Sequence, residues 1–369
     1  MDKNSKIYVA GDTGLVGSAI VRNLSSKGYK NFVFSPFSEY DLREQSVVRN
    51  FFSKEKPDVV FLAAAKVGGI VANNTYRAEF IYDNLQIQNN IIHQSYVHGT
   101  GKLVFLGSSC IYPKSSPQPM EEHHLLSSEL EYTNEPYAIA KIAGIKLIES
   151  YNLQYGTNFI AVMPTNLYGP NDNFDLEKSH VLPALIRKMH LGKSLFEKNF
   201  DMIRSDLDKR PVKSINGEAG NSEISELLAE FGIFHDSVKL WGSGTPRREF
   251  LHSNDLADAC VYIAEKVDFA DILKNDFGIQ KINHPYVGKD VRNTHINIGT
   301  GIDISIKELA ELIKKEVVNY PGKIDWDTSK PDGTLQKLMN VSKLHSLGWK
   351  DKIDFLTGIK DVYKLYKTN

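Results

Sequence analysis

Residues 6–17 read KIYVAGDTGLVG and continue at 18–28 as SAIVRNLSSKG. An apolar run, a turn carrying Gly11, Gly14 and Gly17, and a helix-forming stretch follow one another, so the segment predicts strand, glycine turn and helix. The spacing is GxxGxxG rather than GxGxxG, but the physics is shared. Without side chains, the backbone approaches a pyrophosphate at a helix N-terminus. A dinucleotide site at the start of the chain is expected.

Outward from that turn, strand and helix patterns alternate: NFVFS, a helix at 44–54, DVVFLAA, a helix at 77–98, KLVFLGSS, a helix at 136–156 and NFIAVMPTNLYG. Apolar strands alternating with helices predict an α/β fold, a Rossmann-type doubly wound parallel sheet with ligands at the carboxyl ends of its strands. Gly11, Ala63 to Ala65, Ser108 and Asn166 stand at such ends. The second half is less regular, with VKLWG, a helix at 255–267, HINIG and a helix at 305–318. It reads as a smaller interleaved α/β substrate domain. The expected division is 1–170 for the dinucleotide-binding domain, with 238–267 and 295–300 partly returning to it, and 171–369 mainly for the substrate domain. Between 192 and 237 the charged EKNFDMIRSDLDKRPVKSINGEAGNSEISELLAEFG reads as an inserted surface segment, helical at 222–231, either a lid or a decoration.

The 369 residues are 41% hydrophobic and 24% charged, enough to bury a large core. A net charge of −1 offers no basic field for nucleic acid, and no apolar run approaches the ~20 residues that span a bilayer. MDKNSK leads directly into a strand without an apolar signal segment, and two distant cysteines form no disulfide framework. A cytoplasmic setting is expected, without nucleic-acid or membrane partners, and no metal is called for.

The chemistry is concentrated in GSSCIY and PYAIAK, which contain Ser108, Tyr137 and Lys141. Four-residue spacing on a helix sets Tyr137 and Lys141 one above the other, so the ammonium is expected to favour the phenolate. Ser108 would hold a substrate oxygen while Tyr137 transfers its proton. An isolated YxxxK is more often a solvated helix face, and it gains weight from the order of motifs around it, the dinucleotide turn first. Cys110 follows Ser108 by two residues, so in an extended segment both side chains would face the same side. Cys260, in the apolar LADACVYIA, reads as core.

Together with AAAKVGGIVANNTYRAEFIYDN, MPTNLYGPNDNF, SHVLPALIRK, WGSGTPRREFLH and SKPDGT, these motifs resemble the GDP-L-fucose synthase family of extended short-chain dehydrogenase/reductases, from about residue 5 to 365. The resemblance implies epimerisation at C3 and C5 of a GDP-4-keto-6-deoxy sugar, then NADPH reduction at C4. By resemblance, Cys110 is the base and His180 the acid. A thiol base must be deprotonated, which calls for a cation or polar stabiliser close by. Cofactor contacts are implied for Gly11, Thr13, Gly14, Leu15, Val16, Gly17, Ser35, Asp41, Leu42, Ala64, Leu106, Lys141, Pro164, Asn166, Leu167 and His180. Substrate contacts are implied for Ser108, Asn166, Lys188, Trp241, Arg248, Lys330 and Asp332. Lys188 lies eight residues past His180, two turns along a helix beginning near 181. A homodimer through the helices at 77–98 and 136–156 is also implied.

The chain departs from that family where an arginine is usual, with Thr13 in the glycine turn and Phe37 after the second strand. Arginine grips the 2′-phosphate that separates NADP from NAD, and an NAD site would place an acid where Ser35 stands. NADP(H) remains the expected cofactor, with NAD(H) open. The alternative substrate is a GDP-4-keto-6-deoxy-heptose. A non-enzymatic cofactor-binding protein is the contrasting class, and it would be expected to lose Tyr137 or Lys141.

Overall fold

A computed structural model describes residues 1–330 and 332–368. The first strands are β1 (Ile7–Ala10), β2 (Phe32–Val33), β3 (Val59–Leu62), β4 (Lys102–Leu106), β5 (Phe159–Pro164) and β6 (Asn166–Tyr168). They are followed by β7 (Ser237–Trp241), β8 (Arg247–His252), β9 (Ile296–Ile298), β10 (Asp303–Ser305), β11 (Lys323–Asp327) and β12 (Gln336–Lys337). The helices are α1 (Leu15–Ser26), α2 (Gln45–Glu55), α3 (Ile70–Thr75), α4 (Arg77–Val97), α5 (Glu135–Tyr155) and α6 (Val181–Phe196). Next come α7 (Phe200–Lys209), α8 (Asn221–Glu230), α9 (Ser253–Lys266), α10 (Phe269–Phe277), α11 (Ile306–Leu312), α12 (Ser342–Ser346) and α13 (Phe355–Thr368).

The chain forms two compact units. The first comprises Met1–Leu167, Glu249–Ile302 and Leu338–Lys352, and holds a parallel sheet in the order β2-β1-β3-β4-β5-β9. Its strands carry alternate residues to opposite faces. Ile7, Val9, Val59 and Phe61 pack with α1 and α9, whereas Tyr8, Ala10, Val60 and Leu62 pack with α2, α4 and α5. Both faces are covered, so the strands are apolar throughout rather than alternating. Cys260 lies fully buried in the first cluster, as core. The register aligns Ala10 with Leu62 and Leu62 with Phe105, so the segments after β1, β3 and β4 leave the sheet at one edge. The strand order reverses between β1 and β3, the kind of switch point where such sheets bind ligands.

The second unit comprises Tyr168–Arg248, Asp303–Lys337 and Ile353–Asn369. It pairs β7 with β11, and Arg247 and Arg248 with Gln336 and Lys337. Residues 238–248 belong here rather than to the first unit, while 268–302 and 338–352 return to the first, further than expected. The 192–237 segment is part of this unit's core. Ile203 and Leu207 of α7 and Ile224 and Leu228 of α8 are fully buried. Asp206 of α7 pairs with Arg187 of α6 at 2.9 Å and accepts from Tyr366 of α13. That buried pairing makes it neither a free lid nor a surface decoration.

Candidate active site

The first unit brings Ser108, Cys110, Tyr137 and Lys141 together beyond the end of β4. Gly107 is closely packed there, since a Cβ would stand 2.2 Å from the end of the Met163 side chain, which would have to move. Ser108 is extended and leads a 3₁₀ turn over Ser109–Ile111. The expected extended spacing of Ser108 and Cys110 is therefore incorrect. The turn joins them by another route, the Cys110 amide donating to Ser108 Oγ at 3.5 Å.

Helix α5 carries Pro136 in its first turn, where a missing N–H costs nothing, so Tyr137 and Lys141 fall one turn apart near its start. Lys141 is buried. Its ammonium donates to the Leu106 carbonyl at 2.9 Å and lies 4.8 Å from the Phe105 ring and 5.7 Å from the Tyr137 ring. Burial lowers the Lys141 pKa to about 8, and the Cys110 charge pushes it back up. Burial raises the Tyr137 phenol and Cys110 raises it further, against the hydrogen bond from Ser108. This corrects the expected phenolate. Desolvation outweighs an ammonium whose hydrogen bond goes to a carbonyl, so Tyr137 is a neutral phenol, the form that can donate a proton.

The dinucleotide turn fits a pyrophosphate. Gly11 has φ +83°, and a Cβ there would meet the Ala64 backbone nitrogen at 2.8 Å. A Cβ on Gly17 would lie 2.0 Å from the Gly11 carbonyl oxygen, so α1 seats directly on the turn. Gly14 caps α1 without a side-chain bond and no acid occupies the first turn, leaving its amides and dipole for an anion. At the ribose end, Ser35 is buried with its hydroxyl 2.7 Å from the Tyr8 hydroxyl, and Phe37 is 77% exposed. Asp41 is bound by the Arg43 guanidinium at 2.7 and 2.9 Å. Asn166 donates to the Glu249 carbonyl at 2.8 Å.

The second unit holds His180, Lys188, Trp241, Arg248, Lys330 and Asp332. His180 is the N-cap residue of α6, which begins where the spacing placed it. Its ring is open to solvent yet crowded enough by protein that desolvation lowers its pKa. Lys188 is half-buried, and desolvation brings its pKa down to about 8. Arg248 donates to the Arg247 and Thr334 carbonyls at 2.7 and 2.6 Å. Among the described residues neither Lys188 nor Arg248 meets a carboxylate, whereas the neighbouring Arg247 pairs with Asp303 at 2.8 Å and Glu308 at 3.3 Å. Trp241 is 64% exposed, with the Lys330 ammonium 5.7 Å from its ring. Both Asp332 oxygens are engaged by Ser243, at 2.9 and 2.7 Å, so this carboxylate closes the WGSGT turn.

Two residues escaped the motifs. Phe80 stands edge-on to Tyr137 at 6.3 Å. Asn84 pins the loop after β3, accepting from the Lys66 amide and donating to its carbonyl, both at 3.0 Å. Both lie in the quoted EFIYDN block, but only tertiary packing reveals what they touch.

Known proteins resemble this chain over its full length. The NAD dependent epimerase/dehydratase family matches residues 7–211 and 216–276. GDP-L-fucose synthase 1 of Arabidopsis thaliana is 49% identical over 368 residues, covering 100% of this chain and 95% of that one. A GDP-6-OMe-4-keto-L-xylo-heptose reductase from C. jejuni superposes with a TM-score of 0.89 at 48% identity, covering 100% of this chain and 99% of that one. A GDP-mannoheptose C4 reductase from Campylobacter jejuni with NADP bound gives 0.85 at 46% identity, with the same coverage. The chain belongs to the NAD-dependent epimerase/dehydratase family and, within it, to the GDP-L-fucose synthase family of epimerase/reductases.

Proposed function

We propose that this chain is an NADP(H)-dependent epimerase/reductase acting on a GDP-4-keto-6-deoxy sugar, giving GDP-L-fucose or a related GDP-sugar. The observation that carries the reading is the single cluster of Ser108, Tyr137, Lys141 and Cys110, which joins a carbonyl-reducing set to a thiol base. A C4 ketone acidifies the hydrogens at C3 and C5. Cys110 removes a proton, Ser108 and Tyr137 hydrogen-bond the enolate oxygen at C4, and His180 returns a proton to the opposite face; between the two inversions the thiol gives its proton to solvent and His180 takes one up. NADP(H), when bound, supplies the hydride for C4, and Tyr137 then gives its proton to O4. Gly11, Gly14 and Gly17 hold the pyrophosphate against α1. Lys188 and Arg248, which meet no carboxylate among the described residues, take the diphosphate of the GDP group, and Trp241 packs on its guanine or sugar. Asn166 lies beside the nicotinamide, and Lys330 and Asp332 serve the nucleotide.

A second substrate reading, a GDP-4-keto-6-deoxy-heptose, is supported by the heptose reductases that superpose at 46–48% identity. The homodimer belongs to the same proposal. Its helices α4 and α5 expose Tyr82 and Ile139, apolar surface of the kind a bundle interface covers. A cytoplasmic setting does too; among the described residues no helix is long and apolar enough to cross a membrane.

The test is cofactor oxidation at 340 nm with GDP-4-keto-6-deoxy sugars of six and seven carbons, using NADPH and NADH in turn. The expected result is faster oxidation of NADPH with one of the two sugars. No oxidation with either sugar would defeat the reading.

A further inference from the structure

The turn that carries Ser108 and Cys110 is weakly held by its own bonds. Ile111 donates to the Ser108 carbonyl at 3.3 Å, Tyr112 to the Ser109 carbonyl at 3.4 Å and Cys110 to Ser108 Oγ at 3.5 Å. All three are longer than a typical N–H to oxygen bond, as the poorer geometry of a short 3₁₀ turn gives. Position matters here, since a reacting group displaced by about 1 Å can lose roughly 10²-fold in rate. A bond from outside the turn would hold it, and Tyr112, the residue that closes the turn, makes one.

Tyr112 is 3% exposed, and its hydroxyl donates to Asn297 Oδ1 at 2.5 Å and lies 2.9 Å from His295 Nε2. The proton positions follow from Asn297. Its Nδ2 donates to the Met120 and Asn340 carbonyls at 3.1 and 3.3 Å, so Oδ1 is the acceptor left for the phenol. With the phenol proton given to Asn297, His295 is the donor through Nε2–H, and its Nδ1, buried and without a partner among the described residues, is the bare nitrogen. Burial raises the Tyr112 phenol well above its usual range and lowers the His295 imidazole well below its own, so both rings stay neutral. Asn297 is fully buried and also gives its backbone amide to Glu122 at 3.0 Å. One side chain in β9 and its amide thus gather the end of the turn, the loop at 120–122 and residue 340, all within the first unit.

We propose that Tyr112 is a positioning residue, its hydroxyl locking the Ser108–Cys110 turn to His295 and Asn297 so that the serine hydroxyl and the thiol keep one place while the sugar reacts. It acts through the turn, by its amide bond to the Ser109 carbonyl. The inference rests on the proposed roles of Ser108 and Cys110.

Tyr112→Phe keeps the ring and removes only the hydroxyl. Cofactor oxidation, NADPH titration and hydrogen exchange of the peptide spanning 107–113 are compared with the wild type at a temperature where both are folded. The expected result is a kcat lower by roughly 10- to 100-fold with NADPH affinity within about twofold, and faster exchange in the turn peptide with β1 and β3 unchanged. A kcat within about threefold of wild type overturns the proposal even where the unfolding midpoint falls, because the hydroxyl would then serve stability alone. A loss of NADPH binding in step with kcat also overturns it, since the damage would reach beyond the turn. If the wild type oxidises cofactor with neither sugar, the functional reading fails by itself and the turn peptide decides, with unchanged exchange overturning the positioning role. Should Tyr112→Phe not fold, His295→Leu, which removes the donor to the phenol, is read by the same limits.

Discussion

The knot around Arg187 and the cluster around Lys141 both bury cations, but they differ in what faces those cations. Arg187 is fully buried, and its Nε and Nη2 both lie 2.9 Å from Asp206 Oδ2, with further donations to the Phe174 and Arg210 carbonyls. Asp206 in turn meets Arg210 at 3.3 Å and the Tyr366 hydroxyl. Every charge there is answered inside the protein, and the result is structure, α6 tied to α7 and α13. Lys141, Lys188 and Arg248 meet no carboxylate among the described residues, and desolvation lowers the pKa of each. Desolvated cations without internal counter-charge are costly to keep, and such groups concentrate where a substrate or reaction supplies the missing partner. The adjacent Arg247 and Arg248 repeat the contrast within two residues, one paired with acids and one holding only carbonyls.

The sharpest way to break the comparison begins with the phenol. Tyr137→Phe should lower hydride transfer by roughly 10²- to 10⁴-fold, with cofactor affinity retained, as read by NADPH oxidation and by titration of bound cofactor. Arg187→Ala leaves the buried Asp206 carboxylate with only the longer Arg210 pairing and the Tyr366 hydroxyl, and should cost about 3 kcal/mol in denaturant unfolding, with kcat unchanged under conditions where the variant stays folded. Arg248→Ala should behave in the opposite way. It should raise KM for the GDP-sugar by roughly 10- to 100-fold while leaving the unfolding midpoint nearly unchanged, since it removes a desolvated charge with no internal counter-charge, at the loss of hydrogen bonds to two carbonyls.

The smallest effect lies in the paired class and depends on pH. Burial would raise the Asp258 carboxyl, but hydrogen bonds from Lys352, Trp349 and Lys27 outweigh it and hold the group below the usual carboxylate range. Its contribution is therefore present above the unfolded pKa near 4 and lost as pH falls through the lower folded value. Asp258→Asn should cost roughly 1–2 kcal/mol at neutral pH, and the gap from wild type should shrink steadily in unfolding curves taken below about pH 4.

Local pattern carried most of the first unit. The glycine turn, the apolar strands and the YxxxK spacing are interactions between near neighbours, so Gly11, Gly17, Tyr137 and Lys141 were legible as sequence. What was not legible depends on residues distant along the chain. Arg187 and Asp206 are nineteen positions apart, and nothing local distinguishes them from a solvated arginine and aspartate. The same holds for the 192–237 segment, whose charge conceals the buried Ile203, Leu207 and Leu228. The phenolate expectation failed because spacing gives the Tyr137 to Lys141 proximity but not the desolvation that outweighs it. Cys110 was expected beside Ser108 for the wrong geometric reason, since a 3₁₀ turn rather than an extended segment brings the two together.

One measurement tests most directly whether a single cluster both moves protons and reduces a carbonyl. The GDP-4-keto-6-deoxy sugar is turned over with NADPH in deuterated water, and the product is read by mass and NMR. Deuterium at both C3 and C5, with hydrogen from the cofactor at C4, is the expected result. Reduction at C4 with no deuterium at either neighbouring carbon would contradict it, leaving Cys110 and His180 without a role in the chemistry.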